Sequence, residues 1–244
     1  MKKCIRLLFI STLVGLFFVL TSIRASERIV RKNIIVDGKP EEWVGITPLK
    51  NLNWKTTLFP RPVRKEERRI KSVRISHNGK NLFFLFEIDP GIKEFFEQKR
   101  RTGHIGYIFV DSDGNESTGT RRESDDKYSG WDYRIYIPTG FAGSMGRGKV
   151  RPIVEYKIEK MKKFIMKKSK HGYTYHCEYE KVAGGSKCSE KDPTYISFKD
   201  KFLEMRFPFS LLDITLPTSM RLVIQDLTAF PMVETETIHV FLSK

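Results

Sequence analysis

Oxygen-bearing side chains recur at alternate positions in residues 111–119. Asp111, Asp113 and Asn115 follow a run of strand-forming residues, and a hard cation such as Ca²⁺ needs several oxygen ligands of this kind from one tight loop. An EF-hand is excluded, because Arg122 occupies the twelfth position, where that loop needs a bidentate Glu. The alternative is a turn that Asp111 and Asp113 cap through side-chain hydrogen bonds. The pattern therefore predicts a calcium-binding loop or a side-chain-capped turn.

Catalytic chemistry has little support in the chain. The five His residues are scattered, and no His-Glu-x-x-His pair is present. Residues 142–146 differ from a Gly-x-Ser-x-Gly nucleophile elbow at their first position and lack its strand-to-helix context. The acidic residues in 123–126 stand between basic neighbours, which is typical of a solvated loop rather than of a carboxylate pair for glycoside hydrolysis. We therefore predict that the protein is not an enzyme.

The three Trp residues carry the flat rings that sugar-binding proteins use for stacking. Trp43 follows two acidic residues and is predicted to plug a core. Strand alternation puts Trp131 on the side of Tyr133, which favours a core position for it as well. Trp54 lies in the irregular segment 49–62 and is the better candidate for an exposed platform, with an ordinary packed loop Trp as the alternative. Trp54 and Trp131 are the predicted glycan-binding residues.

The N-terminus has the layout of a secretory signal. Basic residues precede an apolar run at residues 7–20, and the small Ala25 stands at the cleavage position. The apolar stretch up to Ile23 approaches the roughly 17–25 residues of a spanning helix, so an uncleaved anchor is the alternative. We predict a signal peptide or N-terminal anchor at residues 1–25. Residues 26–244 are predicted to be exported to the periplasm, the cell surface or the medium.

The chain is strongly basic, with a formal net charge of +15 that falls to +11 if residues 1–25 are removed. Much of the excess lies in residues 147–170, which are predicted to form a long hairpin with a solvated basic face. Such lysines either block edge pairing or attract an anionic partner. Because the start is secretory, an anionic polysaccharide or lipid-rich surface is predicted rather than nucleic acid. The basic patch consists of Lys160, Lys162, Lys163, Lys167, Lys168 and Lys170.

Two cysteines remain beyond the first 25 residues. Cys177 and Cys188 flank a loop that contains Gly184 and Gly185. In an oxidising compartment their spacing permits a disulfide, which would stabilise the fold by roughly 2–3 kcal/mol. Two free thiols are the alternative. No zinc site is predicted, because no second ligand pair accompanies them.

The rest of the chain has the pattern of an all-β protein. Short runs rich in Val, Ile, Phe and Tyr alternate with turn residues, and Asn78-Gly79 predicts a hairpin turn. Residues 91–101 predict one short helix. We expect one domain over residues 26–244, a two-sheet antiparallel β-sandwich of jelly-roll or immunoglobulin-like type. The predicted strands are residues 33–36, 70–76, 81–88, 105–110, 133–137, 150–159, 173–180, 202–207, 220–225 and 237–242.

Five weak motifs occur in an order that is known from one family. They are the Asp37-Gly38 turn followed by Trp43, the paired strands at 73–88, the Asp-x-Asp loop at 111–119, Gly-x-Asp-Tyr at 130–133, and a strand whose proline starts a helical turn at 203–212. In this order they resemble the family 9 carbohydrate-binding modules and their DOMON-like relatives.

The resemblance implies a non-catalytic sandwich that binds a glycan and is stabilised by calcium. It also implies that Asp132, arriving from the next strand, completes the metal site with Asp111, Asp113 and Asn115. With the charge, it favours a polysaccharide or envelope glycan of anionic character as the partner.

Two alternatives stay open. DOMON-like relatives include haem-binding electron-transfer subunits, and a structural cell-envelope protein without a small ligand is the other. Covalent haem is excluded, because no Cys-x-x-Cys-His is present. The candidate axial ligands are Met145, His104, His171 and His176.

Overall fold

The computed structural model describes residues 26–50, 52–57, 61–89, 103–122, 130–145, 149–169, 172–185, 195–227 and 232–244. Within these ranges the chain forms fourteen strands: β1 (Glu27–Arg28), β2 (Val30–Arg31), β3 (Trp54–Thr56), β4 (Ile70–His77), β5 (Asn81–Ile88), β6 (Gly103–Asp111), β7 (Tyr133–Met145), β8 (Lys149–Ser169), β9 (Gly172–Gly185), β10 (Tyr195–Lys199), β11 (Phe202–Pro208), β12 (Thr218–Asp226), β13 (Val233–Thr235) and β14 (Ile238–Leu242).

Helical structure in the same ranges is limited to three 3-10 turns, at Glu41–Trp43, Lys65–Glu67 and Phe209–Leu211. None of them has the length and apolarity to span a membrane. The turn at Phe209–Leu211 follows Pro208 and confirms the helical turn expected there. The predicted helix at residues 91–101 lies outside the described residues.

The strands form two sheets. The large sheet has the order β1-β14-β12-β6-β7-β8-β9, with β13 paired to β12 and to β3. The small sheet has the order β10-β11-β5-β4-β2. Neighbouring strands in it run antiparallel, except that β2 is parallel to β4, and in the large sheet β1 is parallel to β14. The predicted all-β sandwich is confirmed, and its two short N-terminal strands add parallel pairings.

The main core lies between the two sheets. Along β5, Leu82, Phe84 and Phe86 point into it and are at most 1% exposed, while Phe83 and Leu85 point to the opposite face of the small sheet. This follows from the two-residue period of a strand. Burying one such side chain contributes about 1.5–3 kcal/mol. Because β5 is apolar at every position from 82 to 86, both faces of the small sheet must be covered.

Residues 33–46 cover the outer face of the small sheet as a third layer. Their apolar side chains pack on Phe83 and Leu85. Trp43 is 2% exposed, which confirms its predicted role as a core plug. The predicted strand at 33–36 is corrected, because these residues belong to neither sheet and contribute side chains to this layer instead.

The buried Glu204 holds this layer in place. Its carboxylate accepts hydrogen bonds from Trp43 Nε1 at 2.7 Å, Gly38 N at 2.5 Å and Asp37 N at 2.9 Å. Burial raises the pKa of Glu204, and the Trp43 and Gly38 hydrogen bonds oppose this shift. A Cβ on Gly38 would lie 2.8 Å from the carbonyl carbon of Phe198. The Asp-Gly turn and the Trp that follows are thus joined to the sheet by one carboxylate.

Several strands have the predicted bounds. The runs at 70–76, 81–88 and 202–207 are β4, β5 and β11, within one residue at each end. The hairpin predicted within residues 147–170 is corrected, because residues 149–169 are one long strand, β8, which forms the hairpin with β9. The turn between β4 and β5 is also confirmed, with Gly79 at φ 89°. Asn78 caps it rather than adopting a left-handed conformation, since its Oδ1 accepts from the backbone N of Asn81 at 2.8 Å.

Candidate functional site

The loop between β6 and β7 brings three carboxylates together. Oxygens of Asp111, Asp113 and Asp132 lie within 4.8 Å of one another. Asp111 is fully buried, Asp132 is half-buried and Asp113 is exposed. Carboxylate oxygens at this separation suit a hard cation. The three predicted metal-binding carboxylates therefore meet at one point, while calcium binding itself stays a prediction.

The same loop is capped by its own side chains. Asp111 Oδ1 accepts from Gly114 N at 2.7 Å, and Asp113 Oδ1 accepts from Asn115 N at 2.8 Å. Burial acts to raise the pKa of Asp113, but the hydrogen bond from Asn115 N contributes to a net lowering. The predicted ligand Asn115 uses its Oδ1 to accept from the hydroxyl of Ser117 at 2.6 Å. The side-chain-capped turn that the sequence allowed is thus present.

Arg221 on β12 supplies a fixed positive charge to this loop. Its Nε donates to Asp111 Oδ2 at 2.5 Å, and its Nη1 pairs with Glu116. The guanidinium is nearly buried and lies 5.6 Å from the centre of the Trp131 ring. Burial raises the pKa of Asp111 to about 6, against the opposing effect of Arg221. Sequence spacing gave no sign of this partner, because Arg221 is distant in the chain.

A second group of polar side chains lies on the face of the large sheet that points away from the core. We call it the tyrosine–arginine face, and it consists of Tyr107, Arg134, Tyr136, Glu159 and Tyr179. The Arg134 guanidinium lies 3.5 Å from the Tyr179 ring centre and 5.1 Å from each of the other two rings. Tyr107 and Tyr136 meet edge to face with their centres 4.9 Å apart. Four adjacent strands therefore build one aromatic and charged surface.

Ion pairs fix the geometry of the tyrosine–arginine face. Glu159 Oε2 accepts from Arg134 Nε at 3.0 Å and from the Tyr136 hydroxyl at 3.0 Å, and Lys157 also pairs with this carboxylate. Burial opposes ionisation of Glu159, but the hydrogen bonds from Lys157 and Arg134 lower its pKa. Tyr136 and Glu159 are buried, whereas Tyr107, Arg134 and Tyr179 are half-buried, with 16% of the Arg134 side chain exposed. The accessible part of the face therefore carries two rings and a cation.

The sequence contained a signal for this face. Tyr107 and Arg134 alternate with the core residues Ile108 and Ile135, so the same period that marks the core also marks the opposite side of each strand. The alternation along each strand does not specify how neighbouring strands are aligned. The register of β6, β7 and β8 sets Tyr107 opposite Tyr136 and Arg134 opposite Glu159.

Trp131 does not lie on the side that alternation predicted. Strand β7 begins at Tyr133, and Trp131 pairs with Thr120 in an isolated bridge, so Trp131 packs on Phe109 outside the main core. It is 1% exposed, and the Arg122 guanidinium lies 5.0 Å from its ring centre. The proposal that Trp131 stacks on a sugar is corrected, because its ring is covered.

Trp54 is also buried, at the start of β3. It is 4% exposed, and the Arg68 guanidinium lies 4.7 Å from its ring centre. The prediction of an exposed platform at Trp54 is therefore corrected. The ring packs against the main core, and its partners come from a segment that sequence spacing did not connect with it.

The basic patch is partly neutralised by acids. Lys160 pairs with Asp213 at 2.9 Å, and Lys162 pairs with Glu180. Lys163 is exposed. The side chains of Lys167 and Lys168, and the whole of Lys170, lie outside the described part of the chain.

The structure describes Cys177 but neither its predicted disulfide partner nor the side chains of the predicted haem ligands. The Cys177 thiol is buried, with Sγ 3.5 Å from the carbonyl oxygen of Arg121. Cys188 lies outside the described residues, so the disulfide stays a prediction. The haem ligands stay predictions for the same reason, since the structure does not describe residue 171 or the side chains of Met145, His104 and His176.

No family model matches the chain, and no curated protein matches it. A candidate carbohydrate-binding protein from Bacteroides uniformis ATCC 8492 aligns over 88% of this chain and 89% of that chain, with 11% identity and a TM-score of 0.34. The β-sandwich is assigned from the strand pairing described above.

Proposed function

We propose that the protein is an exported, non-catalytic glycan-binding protein and that it binds the glycan on the tyrosine–arginine face. The observation that carries this proposal is the half-buried pair of rings, Tyr107 and Tyr179, on either side of Arg134. The resemblance of five sequence motifs to family 9 modules supports it independently of the geometry.

The chemistry of the face suits a sugar. The apolar face of a pyranose packs on an aromatic ring, and the hydroxyls around the ring need donors and acceptors. Tyr179 and Tyr107 provide the rings, and Arg134 provides N–H donors. Arg134 is held by Glu159 at 3.0 Å, so little side-chain freedom is lost when a ligand binds. A preformed site of this kind is typical of small-ligand binding.

The charge of the chain favours an anionic glycan over a neutral one. The net charge is +15, and the exposed Lys163 lies on β8, next to the strand that carries Tyr179. Clustered positive charge raises the local concentration of anions. Calcium has a structural role in this proposal: it joins Asp111, Asp113 and Asp132 and stiffens the loop beside the face.

A glycan array tests this function, with the purified protein applied in calcium and in chelator. Binding to a defined acidic glycan that weakens with rising salt is the expected result. Absence of binding to every glycan would contradict the proposal. A Soret absorption band in the same sample would then assign the protein to electron transfer, and a colourless sample would favour a structural envelope protein.

A further inference from the structure

Lys181 adds an accessible cation at one end of the tyrosine–arginine face. It is exposed and stands two residues beyond Tyr179 on β9, the last strand in the order of the large sheet. Side chains two positions apart on a strand point to the same side and lie about 6.6 Å apart. The register also sets Lys181 opposite Glu159, whose carboxylate binds the Tyr136 hydroxyl on this face. Lys181 therefore lies beside the Tyr179 ring.

The carboxylate of Glu159 is already shared by two other cations. Its Oε2 accepts from Arg134 Nε at 3.0 Å, and its Oε1 pairs with Lys157. In the part of the chain that the structure describes, neither of these cations has a second ion pair, and Lys181 has none. Three positive charges therefore meet one carboxylate, and this end of the face keeps an uncompensated positive charge.

The two lysines carry the part of this charge that a ligand can reach. The Lys157 side chain is 42% exposed, against 16% for Arg134, and Lys181 is exposed as well. The register sets Gly184 opposite Lys157, so the neighbouring strand has no side chain at that position to cover the lysine. Neighbouring strands lie about 4.8 Å apart, and lysine side chains are long and flexible. One anionic group can therefore contact Lys157 on β8 and Lys181 on β9 together.

We infer that Lys181, with Lys157, makes the tyrosine–arginine face specific for a sugar that carries an oxyanion, either a carboxylate or a sulfate ester. The inference rests on the proposed glycan-binding function and adds to it a substrate class and a specificity-determining residue. The sugar ring packs on Tyr179, and its anionic group lies between the two lysines. An accessible ammonium forms a stronger hydrogen bond with an oxyanion than with a neutral hydroxyl. Because it is a point charge, it accepts either kind of oxyanion.

The test compares matched sugars on a glycan array at one ionic strength. The array carries neutral oligosaccharides together with the uronate and the sulfated counterpart of each. Wild type, Lys181→Gln, Lys181→Arg and Lys199→Gln are applied separately. Lys199 is the matched control, because it is also an exposed lysine on an edge strand, β10 of the small sheet. Lys181→Gln and Lys199→Gln change the net charge by the same amount, so a difference between them reports on position.

We expect wild type to prefer the anionic sugars over their neutral counterparts by about fivefold or more. Lys181→Gln should lose most of this preference, because it binds the anionic sugars more weakly and leaves the neutral sugars nearly unchanged. Lys181→Arg keeps the charge and should keep the preference, and Lys199→Gln should behave as wild type does. The arm with the larger loss, uronate or sulfate, identifies the oxyanion.

Three results would overturn the inference: equal binding of neutral and anionic sugars by wild type, an unchanged preference in Lys181→Gln, and an equal loss in Lys199→Gln. The second would leave Lys181 as an edge lysine that only blocks strand pairing, and the third would assign the preference to net charge alone. Tyr179→Ala on the same array separates these failures from that of the main proposal. If it weakens the sugar binding that remains, the proposed function stands and the inference alone fails. If wild type binds no sugar, both fail.

Discussion

The indole Nε1 of Trp43 donates to the carboxylate of Glu204 at 2.7 Å, across 161 positions of the chain. The same carboxylate binds the backbone N–H groups of the Asp37-Gly38 turn. The opening motif of the chain is therefore explained by its fold. It closes the outer face of the small sheet and leaves the outer face of the large sheet as the place for a site.

Removing the hydrogen bond from Trp43 to Glu204 should destabilise the protein without affecting its glycan binding. Trp43→Phe keeps an apolar ring but removes one donor from a fully buried carboxylate. We expect the free energy of unfolding to fall by about 1–3 kcal/mol, measured by urea denaturation. Glycan binding should be unchanged at temperatures well below the transition. Equal stability of the variant would contradict the role given to Glu204.

Arg221 should be needed for folding of the carboxylate loop. Arg221→Met leaves Asp111 buried with its partner removed, and breaking a buried pair in this way costs about 3–5 kcal/mol. The double variant Arg221→Met/Asp111→Asn removes both charges and should recover part of that loss. Denaturation curves of the wild type, of Arg221→Met, of Asp111→Asn and of the double variant give the coupling energy. Additive losses would show that the pair contributes nothing of its own.

Calcium should raise the melting temperature. Asp111, Asp113 and Asp132 converge within 4.8 Å, and Arg221 alone does not balance three carboxylates. Calcium at a hundred times its dissociation constant would add about 2.7 kcal/mol, or about 5–10 °C for a domain of this size. Asp113→Ala should abolish the rise, while Glu41→Ala, at an exposed carboxylate elsewhere, should keep it. If calcium has no effect on the wild type, the loop needs no ion and Arg221 supplies its charge.

His77 should make the fold sensitive to mild acid. It is fully buried and stacks on Phe209, and neither ring nitrogen has a partner among the described residues. Burial lowers its pKa, with a further effect from Arg31. The unfolded chain therefore binds the proton more readily, so His77 leaves stability constant above pH ~6.5 and reduces it as pH falls below that value.

The comparison of wild type with His77→Phe isolates this effect, because other titrating groups cancel in the difference. The free energy of unfolding is measured for both proteins at pH 7.5, 6.5 and 5.5. The gap, which is the value for the variant minus the value for the wild type, should grow by up to about 1.4 kcal/mol per pH unit as the pH falls. A gap that stays constant over this range would mean that His77 titrates normally in the folded protein.

The fold was predictable wherever one strand carried its own pattern. The apolar run at 82–86 and the turn at Gly79 determine β5 and its bounds locally. Strands of two or three residues, such as β1 and β13, have no such pattern, because they exist only through their pairing partners.

The candidate site was less predictable for the same reason. Asp111 and Asp113 were predicted from their spacing in one loop, and Asp132 was added by the resemblance to the family 9 modules. The contact of Arg134 with Tyr179 depends on the register of β7, β8 and β9, which no local pattern specifies. Trp54 and Trp131 were predicted to bind a glycan from their residue type alone, but packing against Arg68 and Arg122 covers their rings.

The most direct test of the account is a calorimetric titration of an array-selected acidic glycan into wild type, Tyr179→Ala, Tyr179→Phe and Val44→Ala. Val44 is 75% exposed and lies in the layer over the small sheet, so its variant is the matched surface control. We expect Tyr179→Ala to weaken binding at least tenfold, or about 1.4 kcal/mol, with Tyr179→Phe and Val44→Ala close to wild type. Undiminished affinity in a folded Tyr179→Ala protein would contradict glycan binding on the tyrosine–arginine face.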